Sequence, residues 1–283
     1  MKKMLISALL IMLGVGMLFY PWLSNYLYEK NANSKVVAYE KKVKNLSNDE
    51  YSEMLKQARK YNEELTKSKV VLTDPFKETQ DHTLIEYEKI LNVNGDGIMA
   101  YIEIPSISVE LPIYHGTAQD TLEKGAGHLG NTSLPVGGKS THVVITGHTG
   151  LSNKRLFTDL TELKVGDLFF ITVLNEKLAY KIDDISVVRP EDTEKLRIEK
   201  DKDYVTLVTC TPYGVNSHRL LVRGERTQYS EQDYGLVKKH KTDRHWLETY
   251  KKAMIISLLL FGSLLIVILI FRLIRKVWDE DKK

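Results

Sequence analysis

The chain has 283 residues, of which 43% are hydrophobic, so it is long enough for one medium-sized domain with additional segments. Its net charge of +3 is small and scattered along the chain, which argues against a nucleic-acid-binding function. The single cysteine excludes an internal disulfide and is compatible with an extracellular location.

Two apolar segments lie near the ends of the chain. Residues 4–23 lack a small-residue cleavage site, which favours an uncleaved membrane anchor over a cleaved signal peptide. Residues 253–271 carry no charge and would reach about 28 Å as a helix, enough to cross the apolar core of a bilayer. Basic residues mark the outer ends of both segments: Lys2, Lys3, Arg272, Arg275 and Lys276. This pattern predicts that both termini are cytoplasmic and that the middle of the chain is extracellular.

The region after the first apolar segment has the apolar spacing of helices, over residues 34–68. Ser47 and Glu50 match a capping box, which predicts that a second helix starts there. Asp74-Pro75-Phe76 follows in a stretch without periodicity. By composition alone, this triplet indicates only a turn.

From Gly97 onward the pattern is that of strands. Short helical pieces are predicted only near residues 121–124 and 156–163. Many short strands with few helices indicate a closed barrel. The charges of the loop 190–203 have both signs interleaved, which indicates a solvated loop, and we expect no metal there. The predicted strands cover residues 98–104, 109–113, 143–146, 168–174, 179–188, 205–210 and 219–223.

Two of these strands end in residues that could carry chemistry. Cys210 lies at the end of one strand, where the chain runs out into a loop, and His148 lies in a Gly-flanked turn after another. A thiolate nucleophile needs such an imidazole to protonate its leaving group. On the strand after Cys210, Arg219 and Arg223 share one face, so geometry leaves both open as its cationic neighbour. A small, buried, structural cysteine is the alternative interpretation.

These motifs together resemble the sortase family. They are Thr-Leu-Val-Thr-Cys ending at Cys210, an Arg nine residues later, and Thr-Gly-His ending at His148. Further matching pieces are Gly-Ala-Gly-His-Leu at 125–129 and Thr-Ser-Leu-Pro-Val-Gly-Gly at 132–138. The amino-acid sequence of residues 211–224 is most similar to class C, the branch of the family that builds pili in Gram-positive bacteria. The resemblance covers most of residues 70–226.

The resemblance implies an eight-stranded β-barrel in which Cys210, His148 and Arg219 are catalytic. It also gives the triplet Asp74-Pro75-Phe76 a role, that of a mobile lid over the active site. Asp74 would pair with the catalytic Arg, and Phe76 would cover the Cys. No cofactor and no metal are implied.

The implied reaction is transpeptidation. Cys210 would cleave a sorting signal resembling Leu-Pro-x-Thr-Gly between Thr and Gly, and the thioacyl intermediate would pass to a lysine of the next pilin. The implied partners are therefore pilin subunits with such signals and an acceptor lysine, together with the membrane. Three alternatives remain: a housekeeping sortase that uses a cell-wall precursor, a membrane-anchored cysteine protease, and a non-enzymatic scaffold for pilus assembly.

The predicted organisation is a mainly-β catalytic domain between flanking transmembrane helices. Its segments are a membrane anchor at 1–24, a helical segment with the lid at 25–80, the barrel at 81–226, a juxtamembrane linker at 227–252, a transmembrane helix at 253–272 and a cytoplasmic tail at 273–283.

Overall fold

The computed structural model describes residues 2–68, 70–77, 87–151 and 153–239, together with separate residues between 252 and 278. The chain divides into two compact units, of which the first ends at Lys241. The helices of this first unit are α1 (Lys2–Lys44), α2 (Asn48–Lys67), α3 (Gln119–Leu122) and α4 (Glu231–Lys239). The strands are β1 (Ile98–Ile104), β2 (Val109–His115), β3 (Ala126–His128), β4 (Thr141–Thr146), β5 (Leu168–Val173), β6 (Glu176–Val188), β7 (Asp203–Thr211) and β8 (His218–Thr227). 3-10 turns lie at Tyr87–Lys89, Pro105–Ile107, Thr158–Glu162 and Glu194–Leu196.

The strands close into a barrel in the order β1-β2-β3-β4-β7-β8-β6-β5, and β5 pairs in turn with β1. Neighbouring strands are antiparallel, except that β2 runs parallel to β3 and β4 runs parallel to β7. A closed sheet leaves no strand edge unpaired, which stabilises a domain built from short strands. The eight-stranded, mainly-β barrel predicted from the sequence is confirmed.

Seven of the strands lie where the sequence predicts them, and the eighth, β3, was not predicted. This strand has only three residues, with Gly127 in the middle, so it offers no alternation to detect. A Cβ on Gly127 would collide with the carbonyl oxygen of Gly116, so the close approach of the chain here requires glycine.

Side chains alternate between the interior and the outer surface of the barrel along each strand. On β7, Val205 and Leu207 join the main core, whereas Val208 joins a smaller apolar cluster. On β4, Val144 belongs to the same smaller cluster. The two parallel strands therefore present one continuous apolar surface on the outside of the barrel.

Helices α1 and α2 cover part of the barrel through apolar stripes at helical spacing. The buried side chains are Ala32, Val36, Tyr39 and Val43 of α1 and Leu55, Ala58, Tyr61 and Leu65 of α2. The capping box predicted at the start of α2 is present, because Ser47 and Glu50 exchange side-chain-to-backbone hydrogen bonds. Asn62 anchors the same helix, because its amide group accepts from Leu134 N and donates to Leu134 O.

Helix α1 is longer than predicted. It runs without interruption from Lys2 to Lys44, across the boundary that the sequence placed between residues 24 and 25, and it includes Pro21. Residues 24–33 contain no Gly or Pro and lack an apolar stripe, so their pattern gave no reason to extend the helix. Once neighbouring turns are helical, however, adding such residues to the helix is favourable.

The segment after the barrel also differs from the prediction. The sequence predicted a linker over 227–252, but β8 extends to Thr227 and α4 forms within that range. Residues 240–251 and much of the predicted transmembrane segment 253–272 lie outside the described residues. Within the part of the chain that the structure describes, no helix meets the length and apolarity needed to cross a membrane.

Tyr39 ties α1 to the barrel through two buried hydrogen bonds. Its hydroxyl donates to Met99 O at 3.0 Å and accepts from Leu174 N at 2.8 Å. Tyr39→Phe leaves both backbone groups buried without this partner, so we expect a loss of about 1–3 kcal/mol in the free energy of unfolding. Chemical denaturation measures this loss. The control, Tyr213→Phe, changes a side chain that is 66% exposed and should leave stability unchanged.

Candidate active site

Cys210 lies near the end of β7 and faces outward, because it follows the outward-facing Val208 by two residues. Its partner across the antiparallel ladder is Arg219 of β8. Directly opposed residues on neighbouring strands share one face, so the thiol and the guanidinium lie on the same outer surface of the barrel. Arg223 is also on β8, but it pairs across the ladder with Thr206, further from Cys210.

His148 follows β4, and two hydrogen bonds join the end of that strand to β7. Gly147 N donates to Val208 O at 3.1 Å, and the buried hydroxyl of Thr209 donates to Gly147 O at 2.7 Å. The ring of Phe157 packs on Gly147, where an added Cβ would lie 2.7 Å from it. The backbone before His148 is thus fixed to the residues before Cys210. Thr209 was not predicted, since nothing in its pattern distinguishes it from other strand threonines.

The other histidines that the structure describes have different roles. His142 is buried, with its ring nitrogens 2.8 Å from Arg197 O and 2.7 Å from Thr206 Oγ1, and burial lowers its pKa to about 4. His128 and His115 lie within hydrogen-bond distance of backbone carbonyls, and His218 lies beside Ser217. His82, His240 and His245, which the sequence placed outside the core, lie outside the described residues.

His148 is different because its Nε2 atom is buried and, among the residues that the structure describes, has no hydrogen-bond partner. Burial, the largest cause, lowers the pKa of His148, and nearby Lys154 lowers it further, whereas Glu123 raises it. The imidazole is therefore neutral at pH 7 and able to accept a proton.

Arg219 is held by a carboxylate from far upstream in the chain. Its Nε donates to Asp74 Oδ1 at 2.9 Å and its Nη2 to Asp74 Oδ2 at 2.7 Å, while Nη1 donates to the carbonyls of Asn216 and His218. Asp74 is only 4% exposed. Bidentate pairing uses the planar fork of the guanidinium fully. Of the two arginines that share this face, Arg219 is therefore the one that meets the predicted Asp.

Arg223 forms a comparable pair elsewhere. It donates from Nε and Nη2 to Asp183 at 3.2 and 2.8 Å, and from Nη1 to Glu199 at 3.3 Å. It also stacks over the ring of Tyr204, 4.2 Å from the centroid. This arrangement engages Arg223 away from Cys210.

The segment of residues 70–77, here named the lid, lies across the outer apolar cluster. This cluster, the groove floor, consists of Leu129, Val144, Leu196, Val208 and Leu221, and Leu72 and Phe76 of the lid pack against it. The ring of Phe76 lies 4.9 Å from the Arg219 guanidinium carbon and 5.7 Å from the His148 ring centroid. The lid therefore covers the polar end of the groove as well as its apolar floor.

Two further contacts fasten the lid. The Thr117 hydroxyl donates to Pro75 O at 2.6 Å, and the Thr193 hydroxyl donates to Leu72 O at 3.3 Å. Within the predicted triplet, Asp74 thus pairs with Arg219, Phe76 lies against Arg219 and His148, and Pro75 is bonded to Thr117. Thr117 and Thr193 were not predicted, because a side-chain bond to a distant backbone carbonyl leaves no local pattern.

The covered arrangement makes Cys210 a poor nucleophile. Burial, the largest cause, raises the pKa of the thiol, and the Asp74 carboxylate raises it further, whereas the Arg219 charge lowers it. The thiol is therefore protonated at pH 7 while the lid is closed. Asp74 therefore opposes the effect of the Arg219 charge on the thiol. A thiol, an imidazole and a guanidinium in this arrangement are groups that can act as a nucleophile, a proton carrier and a cationic hydrogen-bond donor.

Comparison with known proteins identifies relatives. Residues 102–227 match the family model described as Sortase domain. The chain is 31% identical to sortase D of Bacillus subtilis over 128 residues. This alignment covers 44% of this chain and 62% of that protein, which is less than two thirds of its length. Sortase C-1 of Actinomyces oris is 49% identical with a TM-score of 0.60, covering 63% of this chain and 99% of that structure. A sortase C of Streptococcus pneumoniae, for which pilin substrate specificity is described, is 42% identical with a TM-score of 0.64, covering 69% of this chain and 97% of that structure.

The charge of Asp74 can be tested without removing the lid. Asp74→Asn keeps the shape of the side chain but removes the charge that raises the Cys210 pKa, so we expect that pKa to fall. Alkylation of the thiol should then be half-maximal at a lower pH. Well below the pKa, its rate should rise about tenfold for each unit of the fall, because the thiolate fraction rises by that factor.

Asp183→Asn is the matched control, because Asp183 forms the equivalent bidentate pair with Arg223. It should leave the pH profile of Cys210 unchanged. If both variants shifted the profile equally, the effect would be one of general surface charge, and the specific link between Asp74 and Cys210 would be wrong.

Proposed function

Because this chain belongs to the sortase family of cysteine transpeptidases, and to its class C branch, we propose that it polymerises pilin subunits. The substrate class is a pilin with a sorting signal resembling Leu-Pro-x-Thr-Gly. The enzyme cleaves this signal between Thr and Gly and joins the Thr carbonyl to a lysine amine of the next pilin. The observation that carries the proposal is that Asp74 and Phe76 of one segment contact Arg219 and His148, and that Arg219 lies opposite Cys210 in the β7–β8 ladder.

The first half of the reaction forms a thioester. Opening of the lid lets the Cys210 thiol transfer its proton to His148, and the thiolate attacks the carbonyl carbon of the Thr. The tetrahedral oxyanion collapses, the Thr–Gly bond breaks, and the imidazolium gives its proton to the leaving Gly nitrogen. The low pKa of His148 suits this step, since the imidazolium returns its proton readily.

The second half transfers the acyl group. An uncharged lysine amine attacks the thioester, neutral His148 accepts the proton that the amine loses, and the Cys210 thiolate leaves. Arg219 stabilises the oxyanion in both halves through the donor fork that Asp74 occupies in the closed state. A lid that occupies this fork makes opening a condition for catalysis.

We also propose that the enzyme is anchored in a membrane with its barrel outside the cell. The support comes from the two apolar segments, 4–23 and 253–271, and from the basic residues at their outer ends. Pilins with a membrane anchor of their own would then share one surface with the enzyme. This arrangement raises the effective concentration of each partner for the other.

The catalytic roles can be tested by incubation with a sorting-signal peptide. The wild-type chain should form an acyl adduct on Cys210 that hydroxylamine releases, and with a lysine-bearing pilin it should form polymer. Cys210→Ala should abolish both products. Hydrolysis in place of polymer, with the amine acceptor present, would favour a cysteine protease; transfer only to a cell-wall precursor would favour a housekeeping sortase. Polymer formation by Cys210→Ala at the wild-type rate would support the scaffold alternative.

The two arginines provide a matched pair of variants. Arg219→Ala should lower the rate of adduct formation by roughly 10²–10³, the typical effect of removing one oxyanion donor. Arg223→Ala removes the same side chain from the same strand face and should lose much less, because its partners are Asp183 and Glu199. Measured single-turnover rates in the opposite order would refute the role assigned to Arg219.

The topology predicts a protection pattern. Protease added outside intact protoplasts should digest residues 30–250 and spare both termini, because only the middle of the chain is exposed there. Mass spectrometry of the protected peptides measures this. A reporter fused after Lys283 should be active inside the cell, and activity only outside would contradict the proposed topology.

A further inference from the structure

Thr146, the last residue of β4, carries a buried hydroxyl whose role the mechanism leaves open. The residue is 0% exposed, and among the residues that the structure describes its Oγ1 has no hydrogen-bond partner. Two other buried threonines of the parallel strand pair are satisfied. Thr206 Oγ1 lies 2.7 Å from a His142 ring nitrogen, and Thr209 Oγ1 donates to Gly147 O. Burying a hydroxyl without a partner costs free energy, so Thr146 stands out.

The position of Thr146 places it at the groove. It follows Val144 by two residues and therefore shares the outer face of β4 with that part of the groove floor. Its partner across the parallel ladder is Val208, another groove-floor residue. Cys210 lies two residues beyond Val208 on the same face. Thr146 is therefore a polar position beside the groove floor, one strand away from Cys210.

The closed lid satisfies some polar groups of the groove and leaves others unmet. Asp74 occupies the donor fork of Arg219. Phe76 packs against the groove floor and beside His148, and its ring carries no group that could bond to a hydroxyl strongly. Both Thr146 Oγ1 and His148 Nε2 remain unpartnered among the described residues. The groove therefore holds polar atoms that suit a different occupant from the lid.

We propose that Thr146 is a substrate-binding residue whose hydroxyl donates a hydrogen bond to a backbone carbonyl of the acyl-donor peptide. This inference rests on the proposed function, because it requires a peptide in the groove. An extended peptide brings carbonyl oxygens onto a largely apolar surface, and each of these oxygens needs a donor. Strand geometry puts Thr146 roughly two residues along such a peptide from the carbonyl that Cys210 attacks. The bond would fix which carbonyl meets the thiol.

The test must separate an effect on the substrate from an effect on the lid, since a more apolar floor would also hold Phe76 more tightly. We therefore compare variants in the full chain with the lid opened by Asp74→Ala and Phe76→Ala. In this parent, Thr146→Val should lower kcat/KM for a sorting-signal peptide by roughly three- to tenfold, the loss of one hydrogen bond. Thr146→Ser keeps the hydroxyl and should stay close to the parent.

Two controls exclude a structural cause. Thr146→Val should not lower the melting temperature, because it removes a buried hydroxyl that has no partner to lose, whereas Thr209→Val should lower it. Thr146→Val should also leave the rate of Cys210 labelling by a small thiol reagent unchanged, because such a reagent has no peptide carbonyl to bind.

Three results would overturn the inference: an unchanged kcat/KM for Thr146→Val in the open-lid parent, a loss seen only with the lid intact, or an equal loss for Thr146→Ser. If neither the wild-type chain nor the parent forms an acyl adduct, the proposed function fails and this inference fails with it. That outcome is distinct from an active parent whose kinetics are indifferent to the hydroxyl.

Discussion

The closed site depends on one ion pair, between Arg219 of the barrel and Asp74 of the lid. Both side chains are nearly buried, and the two bonds use both carboxylate oxygens. The free-energy cost of removing two charges from water offsets most of the energy of their attraction, so a buried ion pair contributes little net stability. Removing only one partner is costly, because the other charge is then buried and unpaired. In the proposed open state, water and a substrate oxyanion would bond to the guanidinium in place of Asp74. An ion pair of this kind is compatible with the proposed opening of the lid, which requires that the closed state have only a modest free-energy advantage.

The barrel fixes the distance between the ends of β4 and β7, near which His148 and Cys210 lie. The parallel ladder of β4 and β7 stops at Thr146 and Val208, and the bonds from Gly147 N and Thr209 Oγ1 continue the attachment beyond it. His148 and Cys210 then emerge from two strands that cannot slide against each other. A site on rigid strand ends keeps its geometry whether the covering segment is open or closed.

Much of this arrangement could be predicted from the sequence, where the signal is local. Cys210 lies at the end of one clear strand and His148 follows another, and seven strands alternate or are rich in β-branched residues. The choice between Arg219 and Arg223 could not be made from the alternation of a strand, because both lie on one face. Their carboxylate partners decide it, and Asp74 lies 145 positions away from Arg219. The same limit hid Thr117 and Thr146, whose significance depends on which backbone or substrate groups lie nearby in three dimensions. Strand β3 was too short to show any period, and the role of the triplet came only from family resemblance.

The uninterrupted course of α1 has a mechanical consequence. At about 1.5 Å per residue its 43 residues span roughly 65 Å, and its last turns are packed against the barrel through Val36, Tyr39 and Val43. A continuous helix of this length couples the orientation of its first turns to the orientation of the barrel. Pro21 is the weak joint, because proline removes one helical hydrogen bond and crowds the preceding turn. Bending of the helix is thus expected at Pro21, about midway along α1 and before the residues that pack on the barrel. Such bending would change the orientation of the groove without changing its shape.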